Sequence, residues 1–199
     1  MATCIIPAAG SSKRMGAAKA LLPWENSTVV EALVSAMRTG GVRSIWVVTG
    51  PNDQELPRRL AALEDVITTT NRDPERGMLS SILVGVDAAA TDPRADWPLL
   101  ACPVDHPALT AKTVEELLEA SRQRPEDLLV PTYKGRRGHP LVIPEAFAGA
   151  LADIDPAVGL RQLLEKNRRA VTELPVTDPG VVTNLNTLED YKGARTRLL

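Results

Sequence analysis

Residues 3–19 read T-C-I-I-P-A-A-G-S-S-K-R-M-G-A-A-K, and the passage changes character at Pro7. Up to Pro7 it is a short apolar run of the kind that forms a strand buried on both faces. Beyond Pro7 come Ala8, Ala9, Gly10, Ser11 and Ser12, then the cations Lys13, Arg14 and Lys19. Small side chains let backbone N–H groups approach an anion, and Gly10 can take a positive φ where the turn needs it. Arg offers phosphate oxygens a planar fork and Lys a mobile point charge. One reading is a phosphate cradle at the carboxyl end of a strand. The other is an ordinary strand-to-helix loop with a solvated basic cluster. Neither GxxxxGK[ST] nor GxGxxG is present, so neither a P-loop nor a dinucleotide fingerprint is signalled.

Outward from this strand, short apolar runs alternate with segments of helical period. Strands are predicted at 44–49, 66–70, 99–102, 127–130, 140–143, 171–176 and 181–183. Helices are predicted at 29–38, 53–63, 79–90, 110–122, 145–152, 159–167 and 188–199, with Ser27 or Thr28 capping the first, Gly40 and Gly41 stopping it, and Thr110 capping the fourth. The alternation specifies an α/β chain: one domain, residues 1–199, built on a mostly parallel sheet with helices on both faces. The length of 199 residues suits a single sizeable core. Ligands of such sheets bind beyond the carboxyl ends of the strands, which points to the segments after Pro7, Thr49, Thr70 and Cys102.

Aromatic residues make up only 3% of the chain, so aliphatic side chains must fill the core. The net charge of −2 lacks the basic field that nucleic-acid binding requires. Cys4 and Cys102 sit in apolar runs without a CxxC pair, which reads as buried free thiols in a reducing cytoplasm rather than a zinc site. No apolar run reaches the roughly 18 residues of a membrane helix, and the apolar start is too short for a signal peptide.

Three further places combine chemistry with position. Asp105 follows L-L-A-C and precedes Pro107; a carboxylate there can hold Mg²⁺ against phosphate oxygens or simply form a turn, and its neighbour His106 reads as a polar loop residue or a substrate contact. Ser80 and Ser81, after Gly77 and Met78, open a helix whose free N–H groups and hydroxyls can read a base or cap the helix. Residues 133–139, Y-K-G-R-R-G-H, form a solvated hairpin or, with Arg136, Arg137 and His139, a surface facing a second substrate.

The first loop resembles the signature A-A-G-x-S-x-R-M-G-x-x-K of the MobA-like nucleotidyltransferases, with Ala8, Ala9, Gly10, Ser12, Arg14, Met15, Gly16 and Lys19 at the matching positions. Residues 71–85 with their G-M-L-S-S-I core, 103–107, 138–140 and 184–191 resemble four further motifs of that group in the same order. Within it the chain is most similar to the molybdenum cofactor cytidylyltransferases. The resemblance implies a Rossmann-like nucleotidyltransferase fold and Mg²⁺-dependent transfer of CMP from CTP to the phosphate of a molybdopterin-type cofactor, with release of pyrophosphate. A molybdoenzyme or its chaperone is the implied protein partner, with no nucleic acid and no membrane. A sugar phosphate or methylerythritol phosphate as acceptor is the alternative, with cytidylyl or guanylyl transfer; a non-catalytic nucleotide- or cofactor-binding protein is a third.

By the same resemblance Arg14, Lys19 and Asp105 are catalytic. Pro7, Ala8, Ala9, Gly10, Ser11, Ser12, Gly77 and Ser81 bind the nucleotide, Ser81 reading the base. Asp105 and Asn186 hold the metal, and His139 binds the acceptor. Thr187 and Glu189 are expected to cap the last helix. Asn184 and Asn186 stand where cytidylyl relatives usually carry Asp, and their N-x-N-T form resembles the guanylyl branch. Ala9, however, stands where guanylyl relatives carry Gly, and its methyl group under the base favours the smaller pyrimidine. The metal and triphosphate are common to all nucleotides, so Ala9 decides for CTP.

Lys19→Ala and Arg14→Ala are each expected to lower kcat/KM about 10- to 150-fold, the cost of a lost charge-assisted contact. Steady-state kinetics on variants with parental circular dichroism checks this; near-parental values in both contradict the phosphate-loop reading.

Overall fold

The computed structural model describes residues 2–10, 19–63 and 65–198. Its main sheet contains β1 (Thr3–Pro7), β4 (Ser44–Thr49), β5 (Val66–Thr70), β6 (Leu99–Ala101), β7 (Leu128–Tyr133), β9 (Leu141–Ile143) and β10 (Val171–Pro175) in the order β10-β7-β9-β6-β1-β4-β5. The two-residue β8 (Arg136–Arg137) is attached antiparallel to β7. β1 pairs in parallel with β4 and β6, β4 with β5, and β7 with β10; β9 runs antiparallel between β6 and β7. The mostly parallel sheet predicted from the sequence is the sheet observed.

Both faces of this sheet are covered, and β1 shows how. Cys4 and Ile6 face a cluster formed with α1 (Val29–Thr39), α2 (Glu55–Leu60), α4 (Ala111–Gln123) and α7 (Leu188–Leu198). Ile5 faces the opposite cluster with α3 (Met78–Ala89), α5 (Ala148–Ala152) and α6 (Arg161–Lys166). Side chains alternate across a strand, so a continuous apolar run is what a two-sided core demands. Each fully buried Leu or Ile contributes about 1.5–3 kcal/mol.

Local signals set the helix starts. Thr28 caps α1 in a capping box with Glu31: the Thr28 hydroxyl accepts from Glu31 N and the Glu31 carboxylate from Thr28 N at 2.9 Å. Thr110 caps α4. The helix expected at 53–63 is shorter, Glu55–Leu60, because the Asp53 carboxylate accepts from Leu56 N at 3.0 Å and Leu63 N turns back onto Leu60 O at 2.9 Å. A two-stranded hairpin, β2 (Pro23–Trp24) with β3 (Ser27–Thr28), was not predicted; Glu25 makes its turn at φ 49°.

The strand expected at 181–183 is not a strand. Residues Pro179–Val182 form a 3₁₀ turn. Proline fixes the first φ, and Asp178 Oδ1 accepts from Gly180 N at 2.7 Å. The other oxygen of Asp178 accepts from Thr110 N, Thr110 Oγ1 and Thr113 Oγ1 at 2.8–2.9 Å, so this buried carboxylate joins the turn to the start of α4. Val181 is buried without ladder pairing, and its carbonyl accepts from His139 N at 2.8 Å. Two glycines make the crossing possible: a Cβ on Gly180 would collide with the carbonyl of Ala108, and one on Gly138 with that of Val181.

Gly180→Ala should therefore destabilise by about 3 kcal/mol, the upper part of the overpacking range, because backbone and not a flexible side chain fills the space. Gly149→Ala, on an exposed helical position with nothing within 4 Å of the added methyl, should be neutral or stabilising by up to about 1 kcal/mol. Denaturant midpoints of the two variants test the pair.

Candidate active site

β1, β4, β5 and β6 run parallel and end on one edge, and the chain leaving each stays tied to its neighbour. Ala8 N donates to Val48 O at 2.8 Å, Asn71 N to Thr49 O at 2.9 Å and Cys102 N to Ile5 O at 3.1 Å. Ala9 is buried and its backbone lies against Gly50. Gly10 is exposed, and no atom of the described residues lies within 4 Å of a Cβ placed on it. Ser11, Ser12, Lys13, Arg14, Met15 and Gly16 lie outside the described residues.

Across this rim the far end of the first loop meets the end of β6. Lys19 Nζ lies 3.3 Å from Asp105 Oδ2, with both side chains more than four-fifths buried. The other oxygen, Asp105 Oδ1, is 2.9 Å from His106 Nδ1. Burial opposes ionisation of Asp105, but the hydrogen bond and charge of His106, with the Lys19 ammonium, outweigh it and hold the carboxyl below its ordinary range. A cation from one loop and an ionised carboxylate from another, 86 residues apart, thus form one centre.

The segment carrying Asn184 and Asn186 is brought to the same centre. Leu185 N donates to the carbonyl of Asp105 at 2.9 Å, and Leu185 is buried between the two exposed asparagines. The last helix is capped differently from expectation. Asp190, not Glu189, partners Thr187: its Oδ2 accepts from Thr187 N at 2.8 Å and Asn186 N at 3.1 Å, while Thr187 Oγ1 accepts from Asp190 N at 3.1 Å. The T-x-x-D spacing of a capping box carried that signal. The Thr187 hydrogen bond, reinforced by Asn186 and the Lys19 charge, lowers the Asp190 carboxyl.

The expected base-reading segment is a buried polar knot. Asn71 Nδ2 donates to Ser80 Oγ at 2.8 Å and Ser81 Oγ at 2.9 Å, and Asn71 Oδ1 accepts from Asp73 N at 2.9 Å. Ser81 is thus buried against Asn71 at the start of α3. Asn71 sits directly after β5, where the strand-end rule could have singled it out. Gly77 has φ 101°, and an added Cβ would lie 2.9 Å from Pro156 O, so both conformation and packing require glycine there.

His139 enters from the other side. It lies two residues before β9, and its ring makes an edge-to-face contact with His106 at 4.9 Å between centroids. Burial first, then the neighbouring His106, pushes its pKa down to about 4 against the opposing pull of Asp105 and a hydrogen bond with the Ala101 backbone. Among the described residues its buried Nδ1 has no hydrogen-bond partner. At neutral pH the ring is uncharged, so it can offer hydrogen bonding but no positive charge. Arg136 and Arg137 are exposed on β8, and Arg137 turns along the sheet to Glu173 at 2.8 Å.

Among the described residues, no group of three or more His, Cys, Asp and Glu could hold a metal by itself, and no helix is long and apolar enough to cross a membrane. Cys4 and Cys102 are buried free thiols, both raised by desolvation.

Comparison with known proteins places these elements in a family. The family model described as MobA-like NTP transferase domain matches residues 4–171. The chain is 33% identical over 196 residues to "Nicotine blue oxidoreductase" of Paenarthrobacter nicotinovorans, covering 94% of this chain and 93% of the relative. It is 26% identical over 194 residues to "Molybdenum cofactor cytidylyltransferase" of Escherichia coli, covering 98% and 95%. Among solved structures, Rv0371c of Mycobacterium tuberculosis superposes with a TM-score of 0.80 at 27% identity, covering 98% of each chain. The same protein in complex with manganese gives 0.78 at 25%, again over 98% of each.

The depressed His139 pKa has a definite sign. Below the unfolded value of 6.5 the unfolded chain takes up a proton that the folded ring refuses until about pH 4. Stability is therefore full above pH 6.5 and falls as the pH drops through that window, by up to about 3 kcal/mol. Thermal midpoints between pH 7 and 4.5 should fall more steeply in the parent than in a folded His139→Asn variant; parallel curves would contradict this.

Proposed function

The chain belongs to the MobA-like NTP transferase family, and on that premise we propose that it transfers CMP from CTP to the phosphate of a molybdopterin-type acceptor. The observation that carries this reading is the Lys19–Asp105 pair, because it joins the end of the small-residue loop to the strand-end carboxylate. An acceptor phosphate oxygen attacks the α-phosphorus. One P–O bond forms as the bond to the bridging oxygen breaks, and the electron pair leaves on pyrophosphate.

The chain's part is positioning and charge. Pro7, Ala8, Ala9, Gly10, Ser11 and Ser12, on and after β1, bind the triphosphate. Arg14 and Lys19 balance the charge that grows on the phosphate oxygens. Gly77 and Ser81 receive the base, and His139, being neutral, hydrogen-bonds the acceptor. A divalent ion fits the donor set: Asp105 offers an ionised carboxylate and Asn186 a carbonyl oxygen on the adjoining segment, leaving the remaining positions to phosphate oxygens and water. Mg²⁺, when bound, neutralises and orients those phosphates. Among the described residues no closed cage forms, which suits an ion that arrives with its nucleotide.

The preference for CTP rests on Ala9, whose methyl occupies room that a glycine would leave for a purine. Its buried setting against Gly50 supports a tight wall there, and forcing a larger ring onto it costs about 1–3 kcal/mol. A second reading follows the name of the 33% relative: an oxidoreductase activity for this chain.

Pyrophosphate release with CTP and GTP, across a panel of phosphorylated acceptors, separates these readings. CTP with a molybdopterin-type acceptor should give the highest kcat/KM, and Ala9→Gly should narrow the gap to GTP. Asp105→Asn should lower metal-dependent turnover about 100-fold or more, while Asn186→Asp is tolerated. A parent enzyme that prefers GTP overturns the base assignment. Consumption of a reduced nicotinamide dinucleotide with no pyrophosphate formed overturns the transfer.

A further inference from the structure

Away from this rim, a cavity of about 330 Å³ is lined by Arg137, Arg161, Leu164, Glu165, Arg168 and Val171. Its three arginines come from three separate elements: β8, α6 and the 3₁₀ turn Arg168–Ala170. Residues 161–169 read R-Q-L-L-E-K-N-R-R, a cationic stretch in a chain of net charge −2. Half-buried Leu164 and Val171 form an apolar part of the wall.

The ion pairs here orient the arginines instead of consuming them. Arg137 donates through Nε to Glu173 Oε1 at 2.8 Å, and Arg161 through Nε to Glu165 Oε1 at 2.7 Å. Each glutamate holds its arginine by the ε edge. Among the described residues the terminal N–H groups of both guanidinia, and the whole guanidinium of Arg168, have no hydrogen-bond partner. Guanidinium forks with free terminal edges around a cavity match the planar oxygens of phosphate or carboxylate. Three positive charges stand against the Glu165 and Glu173 carboxylates, leaving the groove cationic.

We propose that this groove binds the phosphate or carboxylate group of a small anionic molecule, its apolar portion resting on Leu164 and Val171. The β7–β8 hairpin continues from Arg137 through Gly138 to His139, which ties the groove to the rim along the chain. The anion belongs either to the distal end of the acceptor or to a separate effector.

Titration of ¹⁵N-labelled protein with inorganic phosphate, read at the Arg Nε–H resonances, tests binding without any activity. Arg137, Arg161 and Arg168 should shift saturably. In the Arg161→Ala/Arg168→Ala variant, affinity read at Arg137 should fall on the order of tenfold or more for each guanidinium lost. Arg161 is 85% exposed in its side chain, so the fold should survive. Still groove resonances, or an undiminished affinity at Arg137 in the variant, would overturn the site. With binding weakened in the variant, a raised KM for the acceptor at unchanged kcat identifies the ligand as acceptor. Unchanged acceptor kinetics identify a separate effector.

Discussion

Asp178 carries a carboxylate that water scarcely reaches, and the chain meets the cost with four donors: Gly180 N, Thr110 N and two threonine hydroxyls. A buried charge with fewer partners would be strongly destabilising. This one fixes two things at once. It starts α4, which comes after the loop bearing Asp105 and His106, and it sets the turn whose Val181 carbonyl holds His139 N. From that turn the chain runs on to Leu185, which bonds back to Asp105. Asp105, His139 and the two asparagines are thus arranged around one knot.

The Lys19–Asp105 pair has a different character. The side chains are largely buried, so each charge sheds water that the other only partly replaces. Such a pair is a poor source of stability but a good holding arrangement. It keeps the carboxylate ionised and the ammonium near the strand ends. His106 gives Asp105 a second anchor through the opposite oxygen, so both carboxylate oxygens are held. Asp190 adds another negative charge near Lys19.

Much of this was legible in the chain order. Apolar runs gave the strands, because strands buried on both faces tolerate little else, and the strand-end rule located the rim. Thr28, with Glu31 three residues on, and Thr110 announced their helices through local chemistry. The features that escaped depended on distance or on competition between local signals. The stretch 181–183 looks β-branched and apolar, yet Pro179 and a carboxylate that spans to α4 make it a turn. Asp178 gave no warning, since its partners Thr110 and Thr113 lie 68 and 65 positions away. Asp190 was readable from its spacing to Thr187 but lost to its neighbour Glu189. The burial of Ser81 depends on Asn71, a contact that only folding reveals.

β9 reverses the usual logic of a parallel sheet. Parallel strands deliver their exits to a common edge, so the residues just beyond each strand furnish that edge. An antiparallel member delivers its entry instead: Gly138 and His139 reach the rim because they come before β9. The rim therefore has two independently editable halves. One is written after β1, β4, β5 and β6, whose mutual pairing leaves little freedom. The other is written on a hairpin whose tip, Lys134 and Gly135, lies in solvent and has both φ angles positive. Residues can be inserted or exchanged at that tip without shifting any strand of the first half. A lineage could rewrite the hairpin side of the rim while keeping the strand exits of the other half intact.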